Sequence, residues 1–165
     1  MLYRLHGTIQ PYAWGGHDYI PQLLRREPSN LPAAELWFGD HPQAPSQIEA
    51  DDITLPFNDW LQKNLSHALT PASRTRYGDR LPYLLKILDV RLPLSIQVHP
   101  DKAQAEAGYA REEAAGINRG AANRNYPDDN HKPESMIALG DFWLLHGFAP
   151  LDVIEARLAA RPSLA

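Results

Sequence analysis

The sequence predicts a mainly β fold carrying a few short helices. Its 165 residues are about the size of one domain, long enough to bury a real core without disulfides or structural metal. Hydrophobic residues make up 44% and charged residues 22%, the balance of a globular chain and not of a disordered or collagen-like one. The 15 prolines mostly separate short apolar runs, the texture of many short strands joined by turns.

The elements follow in chain order. Tyr12-Ala13-Trp14-Gly15-Gly16 reads as a tight turn rich in aromatics. Asp18 to Glu27 fits a short helix with Pro21 in its first turn. Ala34 to Gly39 reads as a strand, followed by a loop punctuated by Pro42 and Pro45. Phe57, Trp60, Leu61, Leu65 and Leu69 keep helical spacing, which predicts one helix over 57–69. Leu81 to Val90 is nearly continuous apolar sequence interrupted by Lys86, a buried strand, and Leu94 to His99 is a second strand ended by Pro100. Asp101 reads as the N-cap of an Ala-rich helix over 103–115 that Gly116 closes. The polar stretch 118–130 is a loop. Glu134 to Leu139 and Phe142 to Phe148 read as two strands hinged at Gly140-Asp141, and 151–160 returns to helical spacing.

Charge and composition exclude several function classes. With 16 basic and 20 acidic residues the net charge is −4, a poor match for wrapping nucleic acid or an anionic membrane. The absence of cysteine removes disulfides, thiolate zinc knuckles, iron–sulfur clusters and a cysteine nucleophile, and fits a cytoplasmic protein. The longest stretch free of Asp, Glu, Lys and Arg, Leu5 to His17, has 13 residues, too few to span a bilayer. No apolar run follows Met1-Leu2-Tyr3-Arg4, so the start does not read as a signal peptide.

Three segments could carry chemistry. On a strand, Ser95, Gln97 and His99 share one face, while Leu94, Ile96 and Val98 share the other. An ordinary solvent face accounts for that strand taken alone. In Asn130-His131-Lys132-Pro133-Glu134, Lys132 and Glu134 share a face if the segment is extended, where a surface ion pair is the plain reading. Taken together, Gln97, His99 and Glu134 offer nitrogen and oxygen donors that suit zinc and other divalent metals. Lys86, with apolar neighbours on both strand faces, needs a partner or a shifted protonation equilibrium. The chain has four lysines against twelve arginines, and two of the four fall in these segments. Glu35 and Trp37 alternate on one strand face, where an exposed carboxylate beside a core-edge indole is at least as good a reading as a site. Trp14 fits a pocket wall or simple packing. His6, His17, His41, His67 and His146 have no partner at ligand spacing and read as structural or exposed. Phosphate-loop, dinucleotide-loop, nucleophile-elbow and H-E-x-x-H patterns are absent.

The blocks YAWGG, AELWFGDHPQAPS, LPYLLKIL, PLSIQVHPDK, NYPDDNHKPE and ALGDFWLLHGF resemble, in order and spacing, the type I phosphomannose isomerases, over about Tyr12 to Phe148. The resemblance implies a cupin-like jelly-roll barrel, with residues 1–149 as an incomplete catalytic domain and 150–165 as the start of a helical insertion. It implies a zinc-dependent interconversion of mannose 6-phosphate and fructose 6-phosphate through a cis-enediol, with the metal acting as a Lewis acid on the carbonyl. Carried over by position, Gln97, His99 and Glu134 match three of the four zinc ligands. Trp14, Glu35, Lys86, Ser95, His131 and Lys132 match residues of the sugar-phosphate pocket, and Lys132, Lys86 and His131 are the proton-transfer candidates. The family's fourth ligand, a histidine, and an important arginine lie further on and have no counterpart here. A barrel lacking its later strands would expose edges and apolar surface, so weak zinc binding or poor solubility is expected of the chain alone. The implied partner is a small sugar phosphate, with neither nucleic acid nor membrane. Two other readings stand beside it. One is a different cupin metalloenzyme such as a non-haem iron oxygenase, which the Gln97/His99 pair argues against. The other is a non-catalytic chain that binds sugar phosphate or a partner.

Overall fold

Two three-stranded antiparallel sheets carry all the strands found among the described residues, and all of them precede residue 89. The strands in chain order are β1 (Arg4–His6), β2 (Thr8–Gln10), β3 (Glu35–Phe38), β4 (Gln47–Ala50), β5 (Ile53–Pro56) and β6 (Leu85–Leu88). One sheet runs β1-β4-β5 and the other β2-β3-β6. The computed structural model describes residues 2–94, 97–145, 147–161 and 163. Contacts divide the chain into two units, Met1–Leu94 and Ser95–Ala165, a division the sequence did not predict.

In the first sheet Leu5, Ile48 and Leu55 lie in line across the three strands. That apolar row packs on helix α2 (Phe57–Lys63), where Ile48, Ala50, Phe57, Trp60, Leu61 and Leu69 form a buried cluster. Removing water from a side chain such as Leu61 is worth about 1.5–3 kcal/mol. Asp51 and Asp52 join β4 to β5 with φ of 51° and 61°, the left-handed pair that a two-residue hairpin loop needs. Gly7 links β1 to β2, and a Cβ there would sit 2.7 Å from Leu36 Cδ1.

The second sheet has two unlike faces. Leu36, Phe38, Ile9 and Ile87 pack with Ile20 of helix α1 (Tyr19–Leu23) and with Ala33. Glu35, Trp37 and Lys86 fall on the opposite face, because β3 alternates and pairs Trp37 with Lys86. Pro21 does lie in the first turn of α1.

The single helix expected over 57–69 is two, because α2 stops at Asn64 and a four-residue helix α3 (Leu65–Ala68) follows. Asn64 leaves the helical region, with φ −128° and ψ 27°, and its Nδ2 donates to the Trp60 carbonyl at 2.8 Å. Helix α4 (Pro71–Tyr77) was not expected. The Thr70 hydroxyl accepts from the Ser73 N–H at 3.1 Å, Pro71 opens the helix, and Gly78 closes it at φ +79°.

In the second unit, helix α5 (Lys102–Ala114) matches its expected span. Asp101 Oδ1 accepts from Gln104 N at 2.8 Å, and Gln104 Oε1 accepts from Asp101 N at 3.0 Å, a reciprocal capping box. Gly116, at φ +68°, ends it. Helix α6 (Leu151–Ala159) also lies where the spacing placed it. The strands expected over 134–139 and 142–148 are not formed by the described residues there, nor is one formed by 97–99. Ser95, Ile96 and His146 lie outside the described residues. Alternation marks a face, but a strand exists only through pairing, and no described segment pairs with these.

Candidate functional site

In the first unit the site residues stand on β3, β6 and the turn at 12–16. The Gly15 N–H donates to the Tyr12 carbonyl at 3.0 Å, closing that turn. Its position is fixed by Gly16 N donating to Asp89 O and by Arg91 N and Leu92 N donating to Trp14 O, each at 3.0 Å. Gly15 is required there, because a Cβ would overlap Ala34. The turn stacks Tyr12 on Trp14, with ring centroids 5.7 Å apart.

Glu35 is only 8% exposed, so the reading of it as an exposed carboxylate is corrected. Trp37 Nε1 donates to Glu35 Oε2. Lys86 Nζ lies 3.5 Å from that same oxygen and 5.1 Å from the Trp37 ring centroid. Lys86 therefore finds the partner its apolar strand demanded. Its side chain keeps 32% exposure, enough for the ammonium to meet a second anion. Burial first, and then the Glu35 charge, push the Tyr12 phenol above its ordinary value.

In the second unit, α5 and the loop after it bring His99 and Glu134 together across 35 positions of sequence. His99 Nε2 lies 3.8 Å from Glu134 Oε2. The loop is anchored by buried charge: the Arg124 side chain is 1% exposed and donates to Tyr126 O at 2.8 Å and to Ile117 O at 2.6 Å. Its Nη2 lies 2.7 Å from Glu113 Oε1. Glu112 accepts from Tyr126 N at 2.8 Å and Asn125 N at 3.1 Å. Burial pushes the Glu112 carboxyl up, but these donors, the Asn125 side chain and the Arg124 charge outweigh it, and the group ends below its usual range.

Beyond that anchor, Asp128 Oδ1 accepts from Asn130 N at 2.9 Å, and Asp128 Oδ2 lies 3.8 Å from Lys132 Nζ. Segment 131–138 is not a strand, so Lys132 and Glu134 do not pair as face-mates. Lys132 faces Asp128, and Glu134 faces His99. Gln97 and His131 are exposed. Among the described residues no three His, Asp or Glu side chains converge as a metal cluster. Ser95, expected at the pocket, lies outside the described residues. Sequence reasoning missed Lys102 and Asp128; the scarcity of lysine was the one signal that could have drawn attention to Lys102.

Four other histidines make contacts within the first unit. His6 Nε2 lies 2.7 Å from Glu49 Oε1. His41 meets Trp37 edge-on at 4.8 Å, His67 meets Tyr3 at 6.4 Å, and His17 Nδ1 is 3.3 Å from the Ser29 carbonyl.

The profile of the phosphomannose isomerase type I catalytic domain matches residues 2–151. The chain belongs to the type I phosphomannose isomerase family. It is 41% identical over 171 residues to the mannose-6-phosphate isomerase of Escherichia coli strain K12, an alignment covering 99% of this chain and 43% of that protein. The chain thus spans less than half the length of that relative. Among solved structures it is similar to the E134A mutant of phosphomannose isomerase from Salmonella typhimurium, at 43% identity and a TM-score of 0.73, covering 78% of this chain and 33% of that one. It is also similar to the Salmonella typhimurium mannose 6-phosphate isomerase bound to its substrate fructose 6-phosphate and to zinc, at 43% identity and a TM-score of 0.71, covering 79% and 33%. The small antiparallel sheets and short helices accord with the cupin-like fold of that family. None of the described helices is long and apolar enough to cross a membrane.

Proposed function

We propose that this chain interconverts mannose 6-phosphate and fructose 6-phosphate with a bound zinc ion, as a cytoplasmic protein. The observation that carries the reading is the His99–Glu134 pair. Bonds of about 2.1 Å at a tetrahedral zinc put two donors roughly 3.4 Å apart. The 3.8 Å between His99 Nε2 and Glu134 Oε2 is close to that spacing before any metal draws them in. An imidazole and a carboxylate are ligands zinc takes, and the Gln97 amide, two residues before His99, would be a neutral third. When bound, zinc supplies Lewis-acid polarisation of the sugar carbonyl and the hydroxyl beside it.

The remaining work falls to the chain. Isomerisation takes a proton from C2 of the open-chain aldose and returns one to C1, while the hydroxyl proton on O2 passes to O1. Lys132 is assigned that transfer, and Lys86 and His131 are the other groups able to hold the proton. Substrate contacts are assigned to Trp14, Glu35, Lys86, Ser95 and Lys132. The Trp14 face gives an apolar wall, the Glu35 carboxylate accepts from sugar hydroxyls, and the half-buried Lys86 ammonium is an available cation for the phosphate in an acidic chain. The proposed domain spans 1–149, with a helical insertion starting at 150, and the start of α6 at Leu151 supports that boundary.

A coupled isomerase assay on the zinc-supplemented chain tests this. The reading predicts zinc-dependent conversion, with Lys132→Ala lowering turnover at least tenfold while zinc content holds. Near-normal turnover in that variant sinks the role of Lys132. Binding of zinc and fructose 6-phosphate without any turnover would favour the binding-only alternative.

A further inference from the structure

We infer that Lys102 is a positioning residue for the metal-binding pair, an inference that rests on the zinc reading of His99 and Glu134. Lys102 opens α5 only three residues after His99. Its ammonium donates to the Asp129 carbonyl at 2.8 Å and lies 3.5 Å from Asn130 Oδ1. It also lies 3.8 Å from Asp129 Oδ2 and 3.2 Å from Glu106 Oε1, one turn along the helix, which aims the long side chain. Glu134 follows Asn130 by four residues. The strongest fixed points upstream, Arg124 and the Glu112 contacts to Asn125 and Tyr126, hold the loop eight or more residues before Glu134. Lys102 therefore ties the far end of the loop to the start of α5, three residues after His99.

This lysine is out of place for helix stability alone. A cation at a helix N-terminus opposes the helix dipole. Replacing it with a neutral side chain of similar length should leave α5 as stable or slightly more so. Its value lies in what its donors reach.

The test compares the unaltered chain with Lys102→Met and Lys102→Arg by three readouts. These are zinc affinity against a chromophoric chelator, amide exchange at residues 130–132, and the melting temperature. Positioning predicts that Lys102→Met weakens zinc binding at least tenfold and speeds exchange at 130–132 at least tenfold, with the melting temperature unchanged. Lys102→Arg, which keeps the charge and the donors, recovers most of both. If the unaltered chain binds zinc and Lys102→Met binds it equally well, the inference fails while the metal reading stands. If the unaltered chain takes up no zinc, both fall.

Discussion

The Lys86 ammonium lies 3.5 Å from the Glu35 carboxylate on the polar face of the β2-β3-β6 sheet. The two residues are diagonal neighbours across β3 and β6, since Lys86 stands opposite Trp37 and Glu35 opposite Leu88. Removing one partner of a buried pair costs about 3–5 kcal/mol when both are fully desolvated. Here Lys86 is partly solvated and Glu35 keeps the Trp37 donor. Lys86→Met is therefore expected to cost about 1–2 kcal/mol in urea unfolding, between the exposed and the buried limits. Adding Glu35→Gln should recover most of that. Strict additivity of the two changes would show that the pair contributes no coupling.

Gly108 on α5 faces the Tyr126 ring, and a Cβ there would lie 2.5 Å from it. Two effects oppose each other in Gly108→Ala. Helix propensity favours alanine by about 1 kcal/mol. Overpacking against a ring held by the Glu112 contacts costs roughly 1–3 kcal/mol. The clash should win, giving a net loss that Tyr126→Leu in the same chain relieves. A Gly108→Ala protein more stable than the original would contradict the close contact.

Glu112 sets an acid limit on the second unit. Its carboxyl is held below the ordinary value of 4.5. Between that value and the folded one, the unfolded chain binds more protons, so stability rises with pH. The contribution is present above pH of about 4.5 and is lost as pH falls through the lower folded value. Glu112→Gln should flatten that part of the stability curve measured by chemical unfolding between pH 5 and 3. An unchanged slope would remove the assigned role.

Residues 136–145 and Phe148 expose a run of large apolar side chains, with Trp143 at 97% and Leu145 at 84% exposure. Apolar surface of that kind drives association. Light scattering should show concentration-dependent self-association, reduced by Trp143→Lys combined with Leu145→Glu. A monodisperse unaltered chain at high concentration would argue otherwise.

Helix α5 and the strands β3 and β6 were legible in the sequence, whereas the break at Asn64, helix α4 and the partners across the sheets were not. The Asp101 cap, the alanine run and Gly116 fixed α5 because a helix is decided within its own turns. The demand of Lys86 for a partner was visible in its apolar strand, but that partner, Glu35, lies 51 positions away. Strands β1, β2, β4 and β5 have only three or four residues each, too short for alternation to show. The hairpin at Asp51-Asp52 was legible in principle from two residues that tolerate positive φ. The meeting of His99 with Glu134 depends on the loop anchored by Arg124, Glu112 and Lys102, and no spacing rule reports such a closure. Asp128 as the neighbour of Lys132 escaped for a simpler reason: an extended segment would put Lys132 on the face of Glu134, and the segment is not a strand.

The central claim is a zinc site built on His99 and Glu134. Equilibrium dialysis against zinc, with metal content measured per chain, tests it most directly in the unaltered protein and in His99→Ala and Glu134→Ala. The account predicts saturable uptake of one zinc per chain, weakened at least tenfold in each variant with α-helix content unchanged. Equal uptake by all three proteins, or no saturable uptake by the unaltered chain, would contradict it.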